Sequence, residues 1–115
     1  MDLAERVRKL TTPYDNCALE CDGLSRVLHT VLVKEGIEHR FLTGIAMWGC
    51  DIICPHWWIE LPDGWVVDYR MRMWLGERAP HGVFQPDDET TYAAEAEAEG
   101  VLPDFLFRLL TAERV

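Results

Sequence analysis

The chain has 115 residues, which fits one domain, and 49% of them are hydrophobic, which is enough to form a core. Its formal net charge of −9 argues against binding to nucleic acid or to anionic membranes, since both require clustered Lys and Arg. No stretch approaches the ~18 apolar residues of a membrane span, and the N-terminus does not have the pattern of a signal peptide. We therefore expect a cytoplasmic protein with reduced thiols.

The first elements in chain order are two predicted helices. Residues 2–10 have the apolar spacing of a short amphipathic helix. Asn16 is a good N-cap residue for the second helix, which is predicted to run to about Glu35. Cys21 opens the apolar stripe of this second helix, so its side chain is expected to point toward whatever the helix packs on.

Three strands are predicted after these helices. Residues 37–48, 56–61 and 65–70 are rich in β-forming side chains, and residues 49–55 form a loop between the first two strands. The Pro-Asp-Gly sequence at 62–64 has the composition of a turn and joins the last two strands into a hairpin. The sequence therefore predicts a short antiparallel sheet behind the helix of Cys21.

The C-terminal segment, residues 87–114, is predicted to be helical. Residues 88–99 are rich in Ala and Glu and predict an exposed acidic helix, whose charges are either a solvated face or a surface for a basic protein partner. Residues 101–114 predict a docking helix. The order of elements indicates an α+β fold in a single domain, residues 1–115, with a core at 14–76.

Three residue types that occur together in thiol acyl transfer lie on these elements. Cys21 lies near a predicted helix start, where the helix dipole and a neighbouring imidazolium favour the reactive thiolate form. His56 and Asp68 lie on adjacent predicted strands, where the carboxylate can orient the imidazole and stabilise its charged form. The pattern predicts a catalytic triad with Cys21 as nucleophile, His56 as base and Asp68 as the residue that orients the base.

The register of the predicted hairpin decides whether His56 and Asp68 can meet. A three-residue loop that pairs Leu61 with Trp65 places Trp58 opposite Asp68 and His56 diagonal to it, about 7–8 Å away by backbone. A two-residue turn would place His56 and Asp68 on opposite faces of the sheet. We therefore predict the three-residue loop or a bulge.

Three blocks of the sequence resemble the transglutaminase-like (papain-like) cysteine protease superfamily. Residues 21–44 resemble its core, in which a Cys opens a helix, a Gly-Ile pair ends it, and a strand runs to a second Gly. Residues 56–61, His-Trp-Trp-Ile-Glu-Leu, are similar to the family strand His-Ala-Trp-Val-Glu-Val. Residues 64–68, Gly-Trp-Val-Val-Asp, are similar to its Gly-Trp-x-x-Asp strand. Trp57 and Leu19 depart from the family pattern, which has Ala after the His and often Gly two residues before the Cys.

The resemblance implies a transglutaminase-like domain that acts as a cysteine hydrolase or acyl transferase on a protein or peptide substrate. The reaction would pass through a thioester and would need no metal and no organic cofactor. The family also contains inactive members, so a protein-binding module that serves as an inhibitor or adaptor is the alternative. In papain-like enzymes a side-chain amide upstream of the Cys helps to stabilise the oxyanion, and Asn16 is the available amide here.

Two further expectations concern the surroundings of the triad. Trp58 shares the predicted sheet face of His56 and is therefore a candidate substrate-binding residue. Cys17 and Cys21 are four residues apart, as are Cys50 and Cys54. Such pairs leave three interpretations open, namely a zinc site, disulfides or independent roles, and the spacing favours independent roles because zinc ligands are usually closer together.

Overall fold

A computed structural model describes residues 2–112. Its elements, in chain order, are α1 (Leu3–Thr11), a 3-10 helix (Thr12–Tyr14), α2 (Cys21–Lys34), β1 (Arg40–Trp48), β2 (Asp51–Glu60), β3 (Val66–Asp68), α3 (Met71–Leu75), β4 (Gly82–Phe84), β5 (Thr90–Glu97) and α4 (Asp104–Thr111). The expected α+β class is confirmed. None of these helices is long and apolar enough to cross a membrane.

The helix α2 packs on the sheet through a regular apolar stripe. Leu24, Leu28 and Leu32 recur every fourth residue, so they lie on one side of the helix. They join Phe41 of β1 and Ile59 of β2 in the largest core cluster. Burying each such side chain contributes about 1.5–3 kcal/mol, so this stripe fixes the position of α2 over the centre of the sheet.

The five strands form one antiparallel sheet in the order β4-β3-β2-β1-β5. The strand β3 is short and pairs with β2 only at Ile59 and Glu60. Within the described part of the chain, residues 51–57 of β2 therefore have a strand partner on one side only, which is β1. This open stretch of β2 edge lies beside the start of α2 and matters for the site.

The acidic segment predicted as a helix is a strand. Residues 90–97 form β5, which pairs with β1 along most of its length. Ala and Glu favour a helix, but intrinsic propensities differ by less than about 1 kcal/mol per residue, and here the backbone hydrogen bonds offered by β1, together with the β-forming Thr90, Thr91 and Tyr92, decide the outcome. The acidic helix proposed as a surface for a basic partner does not exist; its carboxylates stand along an exposed edge strand.

Three predicted boundaries also shift. The helix α2 begins at Cys21 rather than near Asn16, and β2 begins at Asp51 rather than at His56, so most of the predicted loop at 49–55 is strand. The C-terminal helical segment is reduced to α4, residues 104–111. Its predicted continuation to residue 114 extends outside the described residues.

Gly44 of β1 lies where the pairing register is irregular, both between β1 and β2 and between β1 and β5. A Cβ atom at this position would lie 2.1 Å from the Ala93 carbonyl oxygen and 2.9 Å from the Glu95 backbone nitrogen. Only glycine therefore lets β5 approach β1 at this position. On the other side of β1, Gly44 pairs with His56 of β2.

We expect Gly44→Ala to lower the free energy of unfolding by about 3 kcal/mol, because backbone atoms of β5 must move to admit the methyl group. Urea unfolding followed by tryptophan fluorescence measures the change. The matched control is Gly23→Ala within α2, where the new Cβ makes only ordinary contacts with Leu19 and the helix gains propensity. Equal stability of the two variants would contradict the prediction.

Candidate active site

Cys21 is the first residue of α2, and Glu20 is the N-cap residue before it. The Cys21 side chain is buried, with 6% of the residue exposed. No group in residues 2–112 accepts a hydrogen bond from its backbone N–H, as expected at the first position of a helix. The partial positive charge at the start of a helix favours a thiolate, and the free N–H can donate to a developing oxyanion.

His56 and Asp68 are brought together by the predicted hairpin. The register pairs Ile59 with Val67 and Glu60 with Val66, and the three-residue loop 62–64 closes the turn, as predicted. His56 Nε2 donates to Asp68 Oδ2 at 2.7 Å. Both side chains are almost fully buried, so water does not compete for this hydrogen bond.

The second nitrogen of the His56 ring, Nδ1, does not contact Asp68. His56 Nδ1 is buried and has no conventional hydrogen-bond partner among the described residues. Burial lowers the pKa of His56, but the hydrogen bond to Asp68 and the nearby Cys21 side chain outweigh it and raise the pKa to about 9. With a pKa of about 9 the imidazole carries a proton at neutral pH, and it lies beside the Cys21 side chain.

Two further groups hold Asp68 in place. The Tyr92 hydroxyl donates to Asp68 Oδ2 at 2.7 Å, and the Arg70 backbone N–H donates to Asp68 Oδ1 at 3.0 Å. Burial and the Asp68 charge raise the pKa of Tyr92 well above its ordinary value, so Tyr92 remains a donor. Sequence reasoning missed Tyr92 because its segment was interpreted as an exposed helix, and no local motif marks it.

The Arg70 side chain fixes the loop that leads into α2. Its Nε donates to the Leu19 carbonyl at 2.6 Å, and its Nη2 donates to the carbonyls of Asp15 and Cys17 at 2.8 and 2.9 Å. Its Nη1 also forms an ion pair with the Asp15 carboxylate at 2.8 Å. The Leu19 carbonyl lies one residue before the N-cap residue Glu20, and Asp68 lies two residues before Arg70 in the chain. Arg70 therefore links the start of α2 to the strand of Asp68 and fixes the position of Cys21 relative to Asp68.

A cavity of about 440 Å³ opens beside Cys21. It lies between the start of α2, the open edge of β2 and the end of α3. Its lining residues are Glu20, Cys21, Asp22, Ile52, Ile53, Cys54, Pro55, Trp57, Trp74 and Leu75. Two of the five tryptophans thus face a space next to Cys21.

Trp58 is not among these lining residues, and its assignment as a substrate-binding residue is corrected. The residue is 0% exposed and packs with Leu42 and Val66 in a separate core cluster. The Tyr92 ring covers it at a centroid distance of 4.8 Å. Trp58 does share the face of His56, with stacked rings 6.2 Å apart, but β5 closes that face.

Asn16 is exposed and does not line the cavity beside Cys21. It is not the N-cap residue of α2 either, because the loop held by Arg70 delays the helix until Cys21. The structure therefore does not bring this amide to Cys21, and the backbone N–H of Cys21 is the free donor beside that side chain.

The other cysteines are separate. Cys17, Cys50 and Cys54 are free thiols, as is Cys21, so no disulfide links the two pairs. Within residues 2–112 no group of three or more His, Cys, Asp or Glu side chains is arranged to hold a metal ion. Burial raises the pKa of the Cys17 thiol, against the opposing charge of Arg70, so Cys17 is not an activated nucleophile.

Comparison with known proteins adds no assignment, since no family model, no curated protein and no solved structure matches the chain. The arguments for function therefore rest on the geometry of the site.

Proposed function

We propose that this protein is a cysteine hydrolase or acyl transferase with a transglutaminase-like fold, in which Cys21, His56 and Asp68 form the catalytic triad. The observation that carries the proposal is the arrangement of the buried His56 ring. One nitrogen is bonded to a carboxylate, and the ring lies beside a cysteine at the start of a helix. A buried cationic imidazole between a carboxylate and a thiol is the arrangement that thiol acyl transfer requires.

The proposed reaction has two halves. The Cys21 sulfur attacks the carbonyl carbon of an amide, and the oxyanion that forms accepts a hydrogen bond from the Cys21 backbone N–H. His56 gives its proton to the leaving nitrogen as the carbon–nitrogen bond breaks, which leaves a thioester on Cys21. His56 then removes a proton from water or from an amine, which attacks the thioester and frees the sulfur. Asp68 keeps the ring of His56 in position throughout.

Selective alkylation tests the proposal without a known substrate. We expect iodoacetamide at about pH 6 to label Cys21 faster than Cys50 or Cys54, since only Cys21 stands beside a protonated imidazole. Burial alone predicts the reverse order, because Cys21 is buried whereas Cys50 and Cys54 are exposed. Mass spectrometry with peptide fragmentation assigns the label to individual cysteines.

The decisive variant is His56→Gln. It should slow the labelling of Cys21 so that Cys21 no longer reacts faster than Cys50, while the labelling rate of Cys50 stays the same. His39→Gln is the matched control, because His39 is bonded to the Ile37 carbonyl and to His29, away from the cavity. If Cys21 reacts no faster than Cys50, the enzyme proposal fails and the alternative of an inactive binding module is favoured.

A further inference from the structure

One edge of β2 is left without a neighbouring strand along residues 51–57, within the part of the chain that the structure describes. The other edge of these residues pairs with β1. The register of β2 against β1 shifts between Ile53 and His56, and Pro55 has no N–H, so the groups of this edge that can bond to an extended chain are its carbonyls and the N–H groups of the other residues. Four consecutive residues of this edge, 52–55, line the cavity that also contains Cys21. An extended chain paired with this edge would therefore pass the nucleophile.

Several large apolar side chains line the cavity. Ile52 is 60% exposed and Trp74 is 54% exposed, which is unusual for side chains of this size. Trp57 and Leu75 complete the apolar lining. Large apolar side chains that remain uncovered around a concave surface indicate that a ligand buries them.

The charged side chains that line the cavity are acidic. Glu20 and Asp22 flank Cys21 in sequence, and both are exposed. Glu20 has no ion-pair partner in the described residues, and Asp22 accepts only the Gly23 backbone N–H. No Lys or Arg lines the cavity. A basic group on the bound chain would therefore be attracted, and an acidic group would be repelled.

We propose that the substrate is an extended peptide segment with an apolar residue next to a Lys or Arg. The segment pairs with the open edge of β2, places its apolar side chain against Trp57 and Trp74, and sets its basic side chain by Glu20 and Asp22. This proposal rests on the proposed function, because the peptide bond held at Cys21 is the bond that the thiol attacks. It adds the recognition mode and the charge of the substrate.

Binding to the Cys21→Ala variant tests this recognition without any turnover. The probe is a short peptide, blocked at both ends, that carries Leu followed by Lys, and binding is measured by calorimetry and by tryptophan fluorescence. We expect about tenfold weaker binding when Lys is replaced by Glu. We also expect about tenfold weaker binding when alternate backbone nitrogens of the peptide are methylated, because methylation removes strand hydrogen bonds.

The protein variant that removes the acidic pair should remove the charge preference. In the Glu20→Gln, Asp22→Asn double variant we expect the Lys and Glu peptides to bind within about twofold of each other. Asp88→Asn with Glu95→Gln makes the same change in net charge away from the cavity and should keep the preference. The inference is overturned if no peptide binds, or if neither the charge exchange nor the methylation alters binding. These results are independent of Cys21 alkylation, so failure of the recognition proposal can be distinguished from failure of the triad.

Discussion

Replacement of Arg70 by methionine is expected to lower the free energy of unfolding by about 3 kcal/mol and to slow the alkylation of Cys21 in the protein that stays folded. The Arg70 side chain is 9% exposed and donates hydrogen bonds to four backbone carbonyls and to the Asp15 carboxylate. Methionine fills a similar volume but donates no hydrogen bond, so these acceptors lose their partner. The loop before Cys21 is then free to move, and the sulfur loses its fixed position beside His56.

Two other variants sharpen the interpretation of Arg70. Arg70→Lys keeps the charge but replaces a fork of five donors with a single ammonium group, so we expect only partial recovery of stability and of the Cys21 alkylation rate. Arg78→Met is the matched control, because Arg78 is exposed and should change stability by less than about 0.5 kcal/mol. Urea unfolding and the ratio of Cys21 to Cys50 labelling are the two measurements. Equal losses in Arg70→Met and Arg78→Met would refute the positioning role.

The second large effect concerns pH. The free energy of unfolding is expected to fall as the pH rises from about 6.5 to about 9, by at most ~1.4 kcal/mol per pH unit. A histidine in the unfolded chain has a pKa near 6.5, whereas in the folded protein the hydrogen bonds and charges of Asp68 and Cys21 outweigh the lowering effect of burial and give His56 a pKa of about 9. The folded protein holds this proton more tightly, so the stabilisation is complete below about pH 6.5 and is lost as the pH passes through about 9.

Asp68→Asn removes the carboxylate that raises the pKa of His56, so the pH dependence of unfolding should become flatter in this variant. The hydrogen bonds from Tyr92 and His56 also lose a charged acceptor, and the variant should be less stable than the wild type below about pH 6.5. Asp88→Asn, at an exposed position, is the control and should keep the wild-type slope. Urea unfolding at a series of pH values makes the comparison. A wild-type slope in Asp68→Asn would show that Asp68 does not control the His56 proton.

The pairing of His56 with Asp68 could be predicted from the sequence because it depends on local information. Side chains alternate across a strand, and the three residues between Leu61 and Trp65 fix the register of the hairpin. The stripe of Leu24, Leu28 and Leu32 likewise placed α2 on the sheet through its own spacing. In these cases the residues that determine the structure lie on the same hairpin or helix.

The predictions that were wrong depended on distant partners. The segment 88–99 has helical composition, and only pairing with β1 makes it a strand. Trp58 had the right face for a substrate, but β5 brings Tyr92 over that face and buries it. Asn16 had the composition of an N-cap, yet the loop that contains it is held out of the helix by Arg70, more than fifty residues away.

The sequence by itself therefore determined the three residues of the proposed triad, the helix that carries Cys21 and the hairpin register that joins His56 to Asp68. Periodicity and turn length are properties of short stretches, so a short stretch is enough to reveal them. Tertiary structure decided where α2 begins, which groups hold Asp68 and which aromatic side chains face the cavity. Those outcomes depend on hydrogen bonds and packing between segments far apart in the chain, which no local pattern records.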